Sequence, residues 1–296
     1  MSPLVLDPLR MAAFADRLSL RDPRGRSRAP SLRVTREGLL VSGPFQVRQD
    51  LRIGRARGVA FADATGDPNP LHREGDVVPG AFLASLLVSQ LELLLPRARP
   101  TSLRVSFTAV SWYDRPVRVA ARVVPLAGGA LRVEATGHQD RREVVAAVLE
   151  GRIEAEAPRL ELDLKRVDST WLLRVLAFYR ALGIDPQAYF HKEAGPDLSY
   201  PIAFLAALPS GDMVRRFQGE GGVLNRLVLE FDDQKLPIVG PPEVSLELPT
   251  RLRQSFNRVL TAVKDGMRTA VRGTALVLSQ LPDELLAPRR RAPSGS

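Results

Sequence analysis

The chain has 296 residues and a formal net charge of +9, and 45% of its residues are hydrophobic and 25% charged. This composition is typical of a soluble folded protein, and the length predicts about two domains. The absence of cysteine excludes disulfides, thiolate metal sites and a cysteine nucleophile.

Residues 1 to 45 form a predicted N-terminal extension. A short helix is expected near Leu9 to Leu18, followed by a basic loop, RDPRGRSRAPS. Extended segments then flank a turn at Ser42-Gly43-Pro44. The first residues include Asp7 and Asp16 and contain no long apolar run, so a signal peptide is not predicted and we expect a cytoplasmic protein.

Residues 46 to 158 combine one apolar helix with a series of strands. The stretch between Pro79 and Pro96, PGAFLASLLVSQLELLLP, is apolar on nearly every side, which predicts a buried helix too short to span a membrane. From residue 102 to 154 apolar and polar residues alternate in four runs separated by turns. This alternation predicts an antiparallel sheet. A buried helix before such a sheet is the layout of a hot-dog fold.

Residues 159 to 282 repeat this pattern. The segment YPIAFLAALP corresponds to VPGAFLASLL, and GIDPQAYFHKE corresponds loosely to GDPNPLHRE. Alternating strand-like runs follow in both halves. We therefore predict an α+β double hot dog, in which each half has an antiparallel sheet wrapped around a central helix. Residues 283 to 296, ending RRRAPSGS, are expected to be a disordered tail.

One segment carries a specific motif. Residues 61 to 72 read FADATGDPNPLH and resemble the pattern F-A-x-x-[ST]-G-D-x-N-P-x-H of MaoC-like hydratases/dehydratases and (R)-specific enoyl-CoA hydratases. The wider resemblance covers about residues 46 to 155. It implies that Asp67 and His72 are the catalytic pair and that the amide of Gly80 is an oxyanion donor. A substrate-binding group is also expected around them: Asn69, Pro79, Ala81 and Phe82.

The chemistry that this resemblance implies suits these residue types. Hydration of an enoyl thioester needs a group that moves protons near neutral pH, and histidine has an ordinary pKa near 6.5. A nearby carboxylate can orient a water molecule. Asp67 and His72 are expected to lie in a loop that Pro68 and Pro70 restrict. A backbone N–H at a helix start can stabilise the negative charge on the thioester oxygen.

Two departures keep other interpretations open. Only seven residues separate His72 from Gly80, fewer than is usual in the resembling family, so the acyl site is expected to be more open or covered by another part such as the N-terminal extension. In the second half His191 corresponds to His72, but Ile202 replaces Gly80. A non-catalytic subunit that binds acyl thioesters is therefore the alternative, and the motif by itself is also compatible with a plain turn.

The sequence also limits the cofactors and partners. Three histidines and no cysteine make a dedicated metal site unexpected, and no glycine-rich nucleotide motif is present. The expected partner is an acyl-CoA or an acyl-carrier-protein thioester, with a homodimer of double hot-dog chains as a further expectation. The positive charge comes without a docking motif, so neither nucleic acid nor membrane is expected as a partner.

Overall fold

A computed structural model describes residues 4–14, 16, 18–22, 31–35, 38–95, 97–154, 164–190, 198–216, 223–232, 236–253, 256–266 and 268–278. Residues 23–30 of the predicted basic loop, His191 and the predicted tail lie outside these residues. The helices are α1 (Pro8–Ala12), α2 (Arg55–Thr65), α3 (Pro70–Arg73), α4 (Gly80–Leu94), α5 (Ser169–Ala181), α6 (Gln187–Phe190) and α7 (Ile202–Arg216). The strands are β1 (Leu4–Leu6), β2 (Leu18–Arg21), β3 (Ser31–Thr35), β4 (Gly38–Ser42), β5 (Phe45–Arg52), β6 (Ala98–Phe107), β7 (Pro116–Pro125), β8 (Ala130–Gln139), β9 (Arg142–Ile153), β10 (Val223–Phe231), β11 (Glu243–Leu246), β12 (Thr250–Arg253), β13 (Phe256–Asp265) and β14 (Arg268–Leu278).

The first half wraps a sheet around α4, as predicted. Its strands lie in the order β6-β9-β8-β7-β5, all antiparallel. Buried and exposed residues alternate along β7, so one face of the sheet covers the core. Nearly every side chain of α4 is buried, because the sheet covers one side of it and the second half covers another.

The second half repeats the arrangement and extends the same sheet. Strands β10, β14, β13 and β11 follow one another, and β10 pairs antiparallel with β6, so that Leu229 lies opposite Leu103. Helices α4 and α7 pack against each other beneath this seam. The described residues thus form an eleven-stranded sheet around two central helices, which confirms the double hot dog.

The turns before the two central helices correspond in detail. Helix α2 is followed by Gly66 with φ 74°, and α5 is followed by Gly183 with φ 72°. Asp67 then accepts a hydrogen bond from the Asn69 N–H at 2.9 Å. Asp185 accepts one from the Gln187 N–H, also at 2.9 Å. This shared geometry supports the internal repeat that the sequence predicted.

Asp7 and Arg10 of the N-terminal segment contact the end of α4 that is far from Gly80. The Asp7 N–H donates to the Leu94 carbonyl at 3.2 Å, and Arg10 donates to the Leu93 carbonyl at 3.4 Å. Since α4 rises by 1.5 Å per residue, these contacts lie about 20 Å from Gly80. Helix α1 is shorter than predicted because the chain from Leu18 pairs with β5. These two residues close the base of the core, and the described lining of the cleft beside Gly80 includes no residue of the N-terminal segment.

Candidate active site

The motif begins at the end of α2. Gly66 adopts the left-handed conformation that ends many helices, and the Asp67 N–H donates back to the Ala62 carbonyl at 2.7 Å. A left-handed cap reverses the chain direction within two residues. Asp67 is thereby turned towards the interior, where it is fully buried.

Two donors hold the Asp67 carboxylate. Its Oδ1 accepts from the Asn69 N–H at 2.9 Å, and its Oδ2 accepts from the Ser210 hydroxyl at 3.2 Å. Ser210 lies on α7, 143 residues away in the sequence. A buried carboxylate is costly unless its oxygens are hydrogen-bonded, so the second half stabilises the acidic residue of the first.

His72 lies in the short helix α3, whereas the sequence predicted a loop between Asp67 and His72. Pro70 provides the first residue of that helix, and the Asn69 side chain caps it by accepting from the Leu71 N–H at 3.1 Å. The same cap brings the Asn69 amide to 3.2 Å from His72 Nε2. Asn69 therefore orders the turn and the histidine together.

The partners of the His72 ring define its tautomer. Nδ1 lies 2.9 Å from the Val77 carbonyl oxygen, which can only accept, so Nδ1 carries the proton. Nε2 then accepts from the Asn69 amide. Burial lowers the pKa of His72 below 6.5, while the negative charge of Asp67 and the bond to Val77 oppose that shift. The ring is neutral at pH 7, and its one lone pair, on Nε2, accepts from the Asn69 amide in this structure.

The short link between His72 and Gly80 is ordered by a single β-bridge between Val77 and Trp112. The Val78 N–H donates to the Ser111 carbonyl at 2.9 Å, and the Tyr113 N–H donates to the Asp76 carbonyl at 2.8 Å. This pairing places the Val77 carbonyl against the His72 ring. The shortened segment thus supplies the group that orients the histidine.

Tyr113 holds helix α3 through the backbone of His72. Its buried hydroxyl donates to the His72 carbonyl at 2.9 Å. The ring fits only because residue 58 is glycine, since a Cβ there would lie 2.0 Å from the Tyr113 hydroxyl oxygen. Burial raises the pKa of Tyr113, which keeps the hydroxyl protonated as a donor.

A cleft between the two halves opens beside the histidine. The cleft is small and partly open to solvent. His72, Gly80 and Ser111 from the first half line it, together with Ser210 and Leu224 from the second. Most of the remaining lining is valine, leucine or phenylalanine. An apolar cleft with a few polar groups at one point suits an acyl chain attached to a reactive group.

Gly80 is the first residue of α4 and lies in this cleft. The first N–H groups of a helix have no partner within the helix and carry partial positive charge. A Cβ on Gly80 would lie 3.1 Å from the Phe107 ring, so glycine leaves room for an approaching group. The arrangement provides a backbone donor on the same cleft as His72.

The other candidate residues take different places. Pro79, Ala81 and Phe82 are buried and are absent from the described lining of the cleft. The Phe82 ring packs 5.2 Å from that of Phe61. Asp67 also lies behind the lining, with Ser210 in front of it. The structure therefore brings His72 and Gly80 to the cleft, and places Asp67 and Asn69 immediately behind them.

The corresponding helix start in the second half is already occupied. The Glu92 carboxylate on α4 accepts from the Ile202 N–H at 2.8 Å and from the Ala203 N–H at 3.1 Å. Ile202 corresponds to Gly80 in the repeat. In the repeat, Val214 on α7 corresponds to Glu92 on α4. The apolar side chain of Val214 cannot accept a hydrogen bond from the Gly80 N–H. The two helix starts therefore differ, and only that of α4 lies on the cleft that contains His72.

Nowhere in the described ranges do three or more histidine, aspartate or glutamate residues come together as a metal site would require. None of the described helices has the length and apolar character needed to cross a membrane.

The fold and the cleft define a double hot-dog protein, and solved structures share that fold. A MaoC-like dehydratase from Phytophthora capsici is 10% identical, with 81% of this chain and 97% of that chain covered at a TM-score of 0.57. A conserved hypothetical protein from Mycobacterium tuberculosis, described as having a double hotdog fold, is 11% identical, with 77% and 93% covered at 0.53. A protein from Novosphingobium aromaticivorans provisionally assigned as a thioesterase is 12% identical, with 79% and 95% covered at 0.51. Identities this low establish the fold alone.

No protein-family model matches the sequence, and no curated protein matches it.

Proposed function

We propose that the protein is a hydratase/dehydratase that interconverts (3R)-hydroxyacyl and trans-2-enoyl thioesters. The observation that carries this proposal is the state of His72, a neutral buried imidazole whose Nδ1 is held by Val77 and whose Nε2 can take up a proton when a water molecule replaces the Asn69 amide. It shares an apolar cleft with the amide of Gly80 at a helix start. The (3R) stereochemistry rests on the resemblance of the motif.

In the hydration direction, His72 is the base that takes a proton from a water molecule, and the negative charge of the buried Asp67 stabilises the imidazolium that forms. The water oxygen forms a bond to the β carbon as its proton passes to the base, and the electron pair of the double bond moves to the thioester oxygen. The Gly80 N–H stabilises the resulting enolate. The base then returns a proton to the α carbon, which yields the 3-hydroxyacyl thioester. Dehydration follows the same steps in reverse.

The proposed substrate is an acyl thioester of coenzyme A or of an acyl carrier protein. The apolar cleft suits the acyl chain, and the net charge of +9 is compatible with the anionic phosphopantetheine arm of either carrier. The reaction requires no metal or organic cofactor, because the base, the water and the backbone donor suffice. We also propose a homodimer, and this part of the proposal rests on the family resemblance alone.

A second candidate is a non-catalytic protein that binds acyl thioesters. The observation that favours it is the position of Asp67, which is fully buried and separated from the cleft by Ser210. Such a carboxylate would order the site without reaching the substrate.

Turnover by the purified full chain distinguishes these candidates. With crotonyl-CoA and longer trans-2-enoyl-CoA thioesters, the proposal predicts loss of the conjugated double bond and formation of the 3-hydroxyacyl product without release of free thiol. Thiol release would instead identify a thioesterase. Saturable binding without either product would identify the non-catalytic protein, and both results contradict the proposal.

The rate should remain high at a pH where an ordinary histidine is half protonated. Because burial holds the pKa of His72 below 6.5, its base form persists as the pH falls through 6.5 and is lost only at lower pH. The acidic limb of a plot of kcat/KM against pH is therefore expected below 6.5. A limb above 6.5 would contradict this assignment of the base.

A further inference from the structure

Two arginines of the second half hold the peptide groups that precede Asp67. Arg174 on α5 donates through Nε to the Ala64 carbonyl at 2.9 Å, and Arg215 on α7 donates to the Gly66 carbonyl at 2.8 Å. A Cβ placed on Gly66 would lie 3.4 Å and 3.3 Å from these two guanidinium groups. Both arginines therefore lie directly over the turn that orients Asp67.

These contacts suit the end of a helix. The last carbonyls of α2 have no partner within the helix and carry partial negative charge, so cations are stabilising there. Arg174 is half-buried and stacks over the Trp171 ring at 4.0 Å, which fixes the plane of its guanidinium. A third arginine, Arg73 on α3, donates to the Asp67 carbonyl at 2.9 Å. Three guanidinium groups thus donate hydrogen bonds to the carbonyls of residues 64, 66 and 67.

A related contact at the other end of α2 provides a built-in comparison. Arg57 donates to the Ala181 carbonyl at 3.0 Å and to the Leu182 carbonyl at 2.8 Å, at the end of α5. Arg57 therefore holds the turn that follows α5 in the same way that Arg174 holds the turn that follows α2. Nine residues of helix, about 13 Å, separate Arg57 from Gly66. The two arginines have similar structural roles, but only Arg174 contacts the turn of Asp67.

We propose that Arg174 and Arg215 are positioning residues for the Asp67–His72 pair, so that the second half sets the geometry of the first half's site. This inference rests on the proposed hydratase function. Neither arginine is a catalytic residue, because each acts through the backbone carbonyls of the turn. A displacement of about 1 Å in a reacting group can lower a rate by ~10²-fold, so even a small movement of this turn is consequential.

Methionine substitutions test the inference, because methionine keeps the length of the side chain and removes its donors. In Arg174→Met and Arg215→Met, kcat is expected to fall ~10- to 100-fold while KM changes little. All three methionine variants should lower the melting temperature by similar amounts, but Arg57→Met should keep the kcat of the wild type. Arg215→Lys retains one donor for Gly66 and should recover part of the lost kcat.

The histidine resonances provide a readout that does not depend on turnover. The chain has three histidines, His72, His138 and His191, so the ring signal of His72 can be assigned by its loss in His72→Gln. At one fixed pH, Arg174→Met and Arg215→Met should shift this signal, whereas Arg57→Met should leave it in place.

The outcomes separate the two proposals. Equal losses of kcat in all three methionine variants, or an unchanged His72 signal in Arg174→Met and Arg215→Met, would overturn the positioning role. If the wild-type chain hydrates no enoyl thioester, the proposed function fails, and the His72 signal alone then decides whether these arginines position the pair.

Discussion

Replacing His72 with glutamine is expected to lower kcat/KM for enoyl-thioester hydration by ~10²- to 10⁴-fold, the usual contribution of a positioned acid/base. Glutamine can hydrogen-bond but cannot take up a proton near neutral pH. Asp67→Asn should have an effect of similar size, because it keeps the shape of the side chain but removes its charge. Steady-state kinetics with crotonyl-CoA measures both variants.

The control for the histidine variant is His138→Gln. His138 is exposed on β8, far along the chain from the motif, so this change should leave kcat/KM at the wild-type value. Full activity in His72→Gln and Asp67→Asn together would eliminate the proposed mechanism. Activity lost only in His72→Gln would restrict the acid/base role to the histidine and leave Asp67 as a structural residue.

Replacing Gly211 with alanine is expected to have the second-largest effect. A Cβ at this place on α7 would lie 2.4 Å from the Gly66 carbonyl oxygen and 3.1 Å from the Asp67 nitrogen. Both contacts are with backbone atoms, so α7 and the turn must move apart. Overpacking of this kind typically costs about 1 to 3 kcal/mol. We expect a lower free energy of unfolding and a lower kcat, because the displaced groups include the hydrogen-bonded pair Ser210 and Asp67.

Gly240→Ala is the matched control for that change. A Cβ on Gly240 would meet no atom within 4 Å, so denaturant unfolding and kcat should remain close to those of the wild type. Wild-type stability and activity in Gly211→Ala would show that the close packing of α7 against the turn is dispensable.

Much of the fold could be predicted from local patterns. Alternation of apolar and polar residues between 102 and 154 predicted the strands β6 to β9, because a sheet with one covered face buries every second residue. An apolar run between two prolines predicted α4. The repeated segment YPIAFLAALP predicted α7 and with it the second hot dog. Helix α3 was missed because its four residues are too few to show a helical period.

The central part of the candidate site was also present in the sequence. Asp67, Asn69, His72 and Gly80 lie within 14 consecutive residues, so their types and spacing could be recognised together. The predicted roles of Pro79, Ala81 and Phe82 at the substrate remain without support from the lining of the cleft. An apolar residue at a helix start faces either a cleft or the core, and sequence does not distinguish the two.

What the sequence by itself determined is therefore the fold class and the motif, since both depend on neighbours along the chain. The tertiary structure decided which groups surround the motif. Ser210, Arg174 and Arg215 reach it from more than 100 residues away, and Glu92 occupies the other helix start from the opposite half. No local pattern marks such residues, because their partners are chosen by the packing of α5 and α7 against α2 and α4. That packing makes the two halves unequal and leaves the start of α4 beside His72.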